Sequence, residues 1–210
     1  MTITNIVEDS RKFSWVHFDC GLHQGRESIL THLQVHLDDY KEDEYSSVDL
    51  WISWMRDALM ELTIHVDPYQ IPKDYKDFLE YYGGAAIDGI NCNFSVLGLG
   101  PMTENWYGNV NADNPDLWSL DKTGWLKIGR LVFQRNHKYF GQRVLFYLDL
   151  PGIVQQNSVI AIGPWNGATP NELEVLKNIN AYSSLWKKSA NSFSEWLMNA
   201  VETRGIFSYI

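Results

Sequence analysis

Residues 71–84, IPKDYKDFLEYYGG, contain the clearest local signal of the chain: one complete helix with a start, a buried face and an end. Pro72 suits the first turn, because the N–H that proline lacks would have had no intrahelical partner there. Gly83 can adopt the left-handed conformation that closes a helix. The apolar positions share one helical face at the i, i+3, i+4, i+7 spacing: Tyr75, Phe78, Leu79 and Tyr82. The stretch therefore predicts an amphipathic helix whose aromatic face packs on a core.

Two further helices are indicated by capping boxes, in which a Ser side chain and a downstream acid satisfy backbone N–H groups. The run Ser46-Ser47-Val48-Asp49 predicts a helix that continues through Leu62. Its apolar stripe consists of Trp51, Trp54, Met55, Ala58 and Leu62. Ser192 and Glu195 predict a terminal helix with a second stripe, formed by Phe193, Trp196, Leu197, Ala200 and Val201.

Between these helices, from residue 91 onward, the apolar pattern changes to the period of two that is typical of strands. Cys92, Phe94 and Val96 alternate with polar residues. Further strands are predicted at 125–128 and 131–133, split by Gly129-Arg130, at 143–150 (RVLFYLDL) and at 159–162. Residues 29–40 and 171–188 fit a helix or a strand equally well. Because the strands cluster instead of alternating with helices, the order predicts an α+β fold.

The composition limits the classes of function. The chain has 210 residues, 45% of them apolar and 14% aromatic, which is enough for one packed domain with extensions. Its net charge of −9 argues against nucleic acid as a direct ligand and favours a basic protein partner. Cys20 and Cys92 lack metal-binding spacing and fit a reducing compartment, although a disulfide between them stays open. With neither a signal peptide at residues 1–10 nor a membrane-spanning run, we expect a soluble cytoplasmic protein without a membrane partner.

The sequence contains few patterns that indicate chemistry. The Gly98-Leu99-Gly100-Pro101 run is better explained by a strand that ends in a turn than by a phosphate loop, because no helix start follows it. His32 and His36 have helical i, i+4 spacing, but the glutamate of a zinc hydrolase is absent beside them. Neither a nucleophile elbow nor a flanked catalytic cysteine is present. We therefore expect no catalytic residue, metal or cofactor, with a dyad assembled only by the fold left open.

Two groups of residues are candidate contacts for a protein partner. The first is an acidic run containing Asp38, Asp39, Glu42, Asp43 and Glu44. It fits a solvated charged face, or a docking patch for a cationic partner. The second is Trp106-Tyr107 in a polar, turn-rich loop, where two exposed aromatics would be good interface anchors. The alternative, that both rings fold back on the edge of the sheet, is equally open.

Several of these motifs together resemble the SUKH superfamily, the Smi/Knr-type proteins. The resemblance rests on the Pro-x-x-Tyr-Lys-x-Phe-Leu run of residues 72–79, on Gly83-Gly84, on the Leu-Gly-Leu-Gly run 97–100, and on the Ser-Phe-x-x-Trp-Leu run 192–197. It covers residues 46–210 as one domain. Residues 1–45 fall outside it and are expected to be an N-terminal extension packed on that domain.

The resemblance implies a bent, mostly antiparallel sheet with helices on one side, and a protein that works by binding and not by catalysis. Bacterial members of the superfamily are immunity proteins that neutralise polymorphic toxins, and a fungal member regulates cell-wall assembly. The expected function is accordingly an immunity protein that binds a cognate toxin or another basic protein. A regulatory adaptor in cell-wall synthesis or signalling is the alternative, and an enzyme with a fold-assembled site is a minor one.

Overall fold

The computed structural model describes residues 3–10, 12–37, 48–99, 124–165 and 172–205. The helices in this part of the chain are α1 (Ile3–Ser10), α2 (Arg26–Leu37), α3 (Val48–His65), α4 (Lys73–Tyr82), α5 (Glu172–Lys177) and α6 (Phe193–Thr203). The strands are β1 (Val16–Phe18), β2 (Ala85–Asp88), β3 (Cys92–Val96), β4 (Trp125–Phe133), β5 (Arg143–Asp149), β6 (Val159–Trp165) and β7 (Trp186–Ala190). A short 3-10 turn, Ser183–Leu185, precedes β7.

The strands form one antiparallel sheet in which each strand pairs with its neighbour in the sequence, from β1 at one edge to β7 at the other. The register places Phe94 opposite Leu131, and Leu131 opposite Val144. Alternate side chains of the central strands therefore point to the same face, where they meet the helices. The predicted α+β class is confirmed, with helices packed on an open antiparallel sheet.

The helix predicted from residues 71–84 is confirmed as α4. Its four stripe residues, Tyr75, Phe78, Leu79 and Tyr82, are all buried. The helix ends at Gly83, which has the left-handed φ of 61° and donates its N–H to the Leu79 carbonyl at 3.2 Å. Pro72 sits one position before the helix, with the extended ψ of 139°. The sequence pattern therefore determined both the face and the end of this helix.

Rings from α4, α6 and the sheet form one aromatic cluster. The Phe193 ring lies 4.8 Å from Tyr75 and 5.1 Å from Phe78, centroid to centroid. One turn further along α6, the Trp196 ring lies 5.3 Å from Phe94 of β3 and 5.1 Å from Phe146 of β5. These tilted contacts add about 0.5–1.5 kcal/mol per pair to the burial of the rings. The cluster joins the two helices to the sheet.

A polar contact fixes the same pair of helices at their N-terminal ends. The carboxylate of Asp74 accepts hydrogen bonds from the backbone N–H of Ser194 at 2.9 Å and from its hydroxyl at 3.0 Å. Ser192 caps α6 as predicted, because its hydroxyl accepts the N–H of Glu195 at 3.2 Å. The Glu195 carboxylate accepts from the N–H of Asn191, one residue earlier than a standard capping box requires.

Gly98 permits the closest backbone approach in the part of the chain described here. A Cβ atom at this position would lie 1.5 Å from the Gly83 carbonyl oxygen and 2.4 Å from the Gly84 Cα. The next residue, Leu99, donates its N–H to the same Gly83 oxygen at 2.5 Å. The end of α4 and the exit of β3 are therefore in direct contact, which explains the two glycine motifs without a phosphate-binding role.

Residues 125–133 differ from the prediction. They form one continuous strand, β4, and not two strands split by Gly129-Arg130. The register shifts between Lys127 and Gly129, so a bulge absorbs the irregularity while Gly129 stays paired with Val96 and Phe146. A Cβ at Gly129 would lie 2.6 Å from the indole of Trp196, so the glycine makes room for that ring. The predicted break is wrong because this glycine serves packing and not termination.

The N-terminal part of the chain joins the same sheet and core. β1 pairs with β2, and the Asp19 N–H donates to the Gly84 carbonyl at 3.0 Å. Its buried apolar residues lie in the main core: Ile3, Ile6, Val7 and Ile29. Sequence patterns missed α1, β1 and β2, which are short. The region of residues 29–40 left open between helix and strand is helical in α2, up to Leu37.

The opposite face of the sheet has its own smaller core. Its sheet residues are Trp125, Leu145, Tyr147, Ile160 and Ile162. The short helix α5 and the turn after it cover them with Val175, Leu176 and Ile179. The ambiguous stretch 171–188 thus contains a helix, a 3-10 turn and the start of β7. None of the helices in the described ranges is long and apolar enough to cross a lipid bilayer.

Truncation of Phe78 to alanine should lower the free energy of unfolding by about 3–5 kcal/mol, because the ring is fully buried in the aromatic cluster. Urea denaturation followed by circular dichroism measures this loss. Phe140→Ala is the matched control, since that ring is exposed. Equal stability of the Phe78→Ala protein and the parent would show that α4 does not pack as described.

Gly98→Ala should cost about 3 kcal/mol or more, because the new methyl group meets backbone atoms that no side-chain rotation can clear. Gly25→Ala is the control, since a Cβ there meets no heavy atom within 4 Å. Thermal unfolding of the two variants should separate them clearly. Two alanine variants with the same melting temperature would contradict the close contact between Gly98 and Gly83.

Candidate interaction surface

The partner contacts predicted from the sequence lie outside the described residues. They are Asp38, Asp39, Glu42, Asp43, Glu44, Trp106 and Tyr107. Their role stays a prediction. The described residues do show where the two segments that contain them join the fold, and what surface lies between two of the junctions.

Most of the negative charge belongs to these two segments. Residues 38–47 contain five acidic residues and one lysine, and residues 100–123 contain four acidic residues and one lysine. Together the segments carry −7 of the net charge of −9. The rest of the chain is close to neutral. The attraction of a cationic partner to this chain therefore depends mainly on these two segments.

Each segment has one junction near an end of α3; the other junctions are Leu37, at the end of α2, and Leu99, whose N–H donates to the Gly83 carbonyl after α4. Residues 38–47 lead directly into Val48, the first residue of α3. Residues 100–123 lead into Gly124, where a Cβ would lie 2.9 Å from the Tyr69 ring and 3.0 Å from Pro151. Tyr69 follows the C-terminal end of α3 closely, and its N–H donates to the Val66 carbonyl at 2.8 Å. The 18-residue helix between these junctions is about 27 Å long.

One side of α3 is buried and the other is exposed. The buried residues Trp51, Met55, Ala58 and Leu62 belong to the predicted stripe, and Trp54 is half-buried. On the opposite side, Ser53, Asp57, Met60 and Ile64 are exposed at helical spacing. We call this set the outer face of α3. Its C-terminal half is apolar, with Met60 57% and Ile64 68% exposed.

Sequence analysis missed Met60 and Ile64 as candidate contacts. Their signal was present, because both are apolar and both lie off the stripe formed by Trp51, Met55, Ala58 and Leu62. Apolar residues on the polar side of an amphipathic helix indicate an interaction surface when they are adjacent. The i, i+4 spacing makes Met60 and Ile64 neighbours on the helix surface.

A buried carboxylate orders the loop beside this surface. Asp149 is fully buried at the end of β5 and accepts five hydrogen bonds. Its Oδ1 atom accepts from the Trp125 indole at 3.0 Å and from the N–H groups of Gly152 and Ile153 at 3.0 and 2.9 Å. Its Oδ2 atom accepts from the N–H groups of residues 154 and 155 at 2.6 and 3.0 Å.

This arrangement suits an ionised carboxylate, which has acceptor sites for several donors and no donor of its own. The hydrogen bonds hold the β5–β6 loop, which contains Pro151, against Gly124 and Tyr69. Ile153 of the same loop is exposed. The Asp149 carboxylate thus gives the surface near the end of α3 a fixed border.

The cysteines are free thiols, with Cys20 half-buried and Cys92 buried. Burial raises the pKa of Cys20, and the Asp19 carboxylate raises it further. Burial also raises the pKa of Cys92, partly opposed by Arg204. Both thiols are therefore protonated near neutral pH, and the thiol form is a poor nucleophile and metal ligand.

The histidines and acids of the described ranges form no group of three or more side chains placed to bind a metal ion. His32 and His36 belong to the helix α2. His17 lies 3.5 Å from Asp88, and His23 lies 3.4 Å from Glu80, both in exposed pairs. Surface pairs of this kind contribute little to stability.

A model of a known protein family matches much of this chain. The family model described as the SMI1 / KNR4 family (SUKH-1) matches residues 68–199, more than half of the chain. The matched span runs from the turn after α3 into α6 and includes α4, the strands β2 to β7 and most of α6. Neither the curated proteins nor the solved structures include a significant match.

Asp149→Asn should lower the free energy of unfolding by about 2–4 kcal/mol, because an amide nitrogen would face backbone N–H donors that need an acceptor. The control is Asp88→Asn, whose carboxylate is exposed and should be almost neutral to stability. Guanidinium denaturation of both variants measures the difference. If Asp149→Asn unfolds at the parent's midpoint, the five hydrogen bonds do not order the loop as described.

Proposed function

Because this chain belongs to the SMI1/KNR4 family (SUKH-1), we propose that it is an immunity protein that neutralises a cognate toxin by direct protein–protein binding. The partner is a basic protein. In this proposal the chain covers the active surface of the toxin and catalyses no reaction on it. The proposal requires neither a cofactor nor contact with nucleic acid or membrane.

The observation that supports this proposal best is the placement of the charge. Residues 38–47 and 100–123 carry −7 of the net charge of −9, and one junction of each segment lies near an end of α3. Long-range attraction of a basic surface by such segments raises association rates, which suits an inhibitor that must act before its toxin does. The near-neutral remainder of the chain would not attract a cationic partner in a particular orientation.

Toxins that act on nucleic acid carry basic active sites, because substrate phosphates must be neutralised. An acidic surface with exposed apolar residues fits over a site of that kind. Charge complementarity then determines orientation and rate, and the desolvated apolar centre contributes most of the affinity.

The test is co-expression of this chain with the toxin candidate encoded beside its gene. Rescue of growth, together with a one-to-one complex of the purified proteins, supports the proposal. Unchanged killing with no complex in pull-down contradicts it. A cell-wall phenotype on deletion, in the absence of any neighbouring toxin gene, would assign the chain to the regulatory adaptors of the same family instead.

Neutralising the acidic run, with Asp38, Asp39, Glu42, Asp43 and Glu44 changed to their amides, should lower the association rate constant with the toxin about tenfold at low salt. The dissociation rate should change much less, because steering acts before contact. Stopped-flow mixing at several salt concentrations measures both effects.

The matched control carries the same total charge. It neutralises five exposed acids elsewhere on the fold: Glu8, Asp9, Glu27, Glu174 and Glu202. Its association rate should stay near that of the parent. Equal losses in the two variants would show that net charge, and not the position of the acidic run, governs association.

A further inference from the structure

The outer face of α3 has an apolar centre close to its C-terminal end. Met60 and Ile64 are adjacent on the helix, and both are more than half exposed. Tyr69, 38% exposed, follows in the turn after the helix. Aromatic and large apolar side chains that are exposed together are the usual anchors of protein interfaces.

We propose that Met60, Ile64 and Tyr69 form the apolar anchor on which the basic face of the partner docks. We call these three residues the α3 anchor. This inference rests on the proposed function, since the partner is the toxin named there. It adds the surface that supplies the affinity, which the acidic segments alone would not provide.

The α3 anchor is held by buried groups, as a docking site with a defined shape requires. The inner side of α3 places Met55 and Leu62 in the main core, where they are fully buried. Tyr69 packs beside Gly124 and Pro151, and the loop that contains Pro151 is held by the Asp149 carboxylate. A preorganised surface loses little conformational entropy on binding, so more of the contact energy remains as affinity.

The charges around the anchor favour a basic partner over a second copy of this chain. Three exposed acids, Asp57, Glu61 and Asp67, lie near the α3 anchor in the sequence, against one exposed cation, Arg56, so the surroundings are acidic on balance. Two copies facing each other through α3 would bring these acids together, whereas a cationic surface would be attracted to them.

The matched span begins at residue 68, after the end of α3, and contains the sheet and the aromatic cluster. A scaffold shared by a family determines the fold, and function depends on sites added to that fold. Met60 and Ile64 lie outside the matched span, and Tyr69 lies inside it.

The test measures binding of the catalytically disabled toxin domain encoded beside the gene, by calorimetry and by surface kinetics. Met60→Ser/Ile64→Ser removes two exposed side chains, so it should fold with an unchanged melting temperature. We expect its Kd to rise at least tenfold, through faster dissociation, with the salt dependence of association unchanged. The acidic-run variant shows the opposite kinetic pattern.

Phe140→Ser is the matched control, because Phe140 is 60% exposed and lies in the β4–β5 turn, at the far end of these strands from Gly124. It should bind like the parent. If the parent binds and the double variant binds equally well, the α3 anchor is wrong and the proposed function stands. If the parent does not bind, both the α3 anchor and the proposed function are wrong. A dimer of the parent that the double variant dissociates would assign this face to a second copy and also overturn the inference.

Discussion

The packing of α6 against the sheet is the constraint on which the rest of the structure depends. Trp196 lies over Gly129, where any larger side chain would collide with its indole. One turn earlier, Phe193 contacts Tyr75 and Phe78 of α4. A bulky ring on one element is thus matched by a missing side chain on another, as dense packing requires. The glycines at 98 and 129 are therefore as necessary to this core as the aromatic residues.

This packing has a consequence for the surface. Because α4 and the sheet are fixed to each other, the chain entering α4 and the strand start at Gly124 also have fixed positions. Tyr69 and Pro151 meet at that glycine, and the Asp149 carboxylate orders the loop behind them. The outer face of α3 ends at this ordered border. The core thus determines the geometry of the surface that we assign to partner binding, although no residue of the aromatic cluster is part of it.

The sequence was sufficient to predict an element where its local signals agreed with the tertiary packing. Helix α4 has its stripe, its glycine end and a buried face, and the strand pattern of residues 143–150 needed no tertiary information. It was insufficient to predict an element where the role of a residue depends on a contact with a residue far away in the chain. The local pattern at Gly129 indicated a break in the strand. Its actual role is to make room for Trp196, 67 positions away in the chain, and no local pattern shows that contact. β1 has only three residues, too few for a periodic pattern, and exists because β2 pairs with it.

The candidate contacts also differ in how far the sequence alone could identify them. Charge is a property of composition, so the acidic run could be identified directly. Met60 and Ile64 lie off the predicted stripe of α3, but only the fold shows that both stay exposed once the helix has packed.

Hydrogen–deuterium exchange of this chain, alone and with the disabled toxin domain, tests the central claim most directly. The account predicts new protection in α3 and in the turn containing Tyr69, with the β4–β5 turn around Phe140 unchanged. Protection centred on the β4–β5 turn, with α3 unaffected, would contradict it.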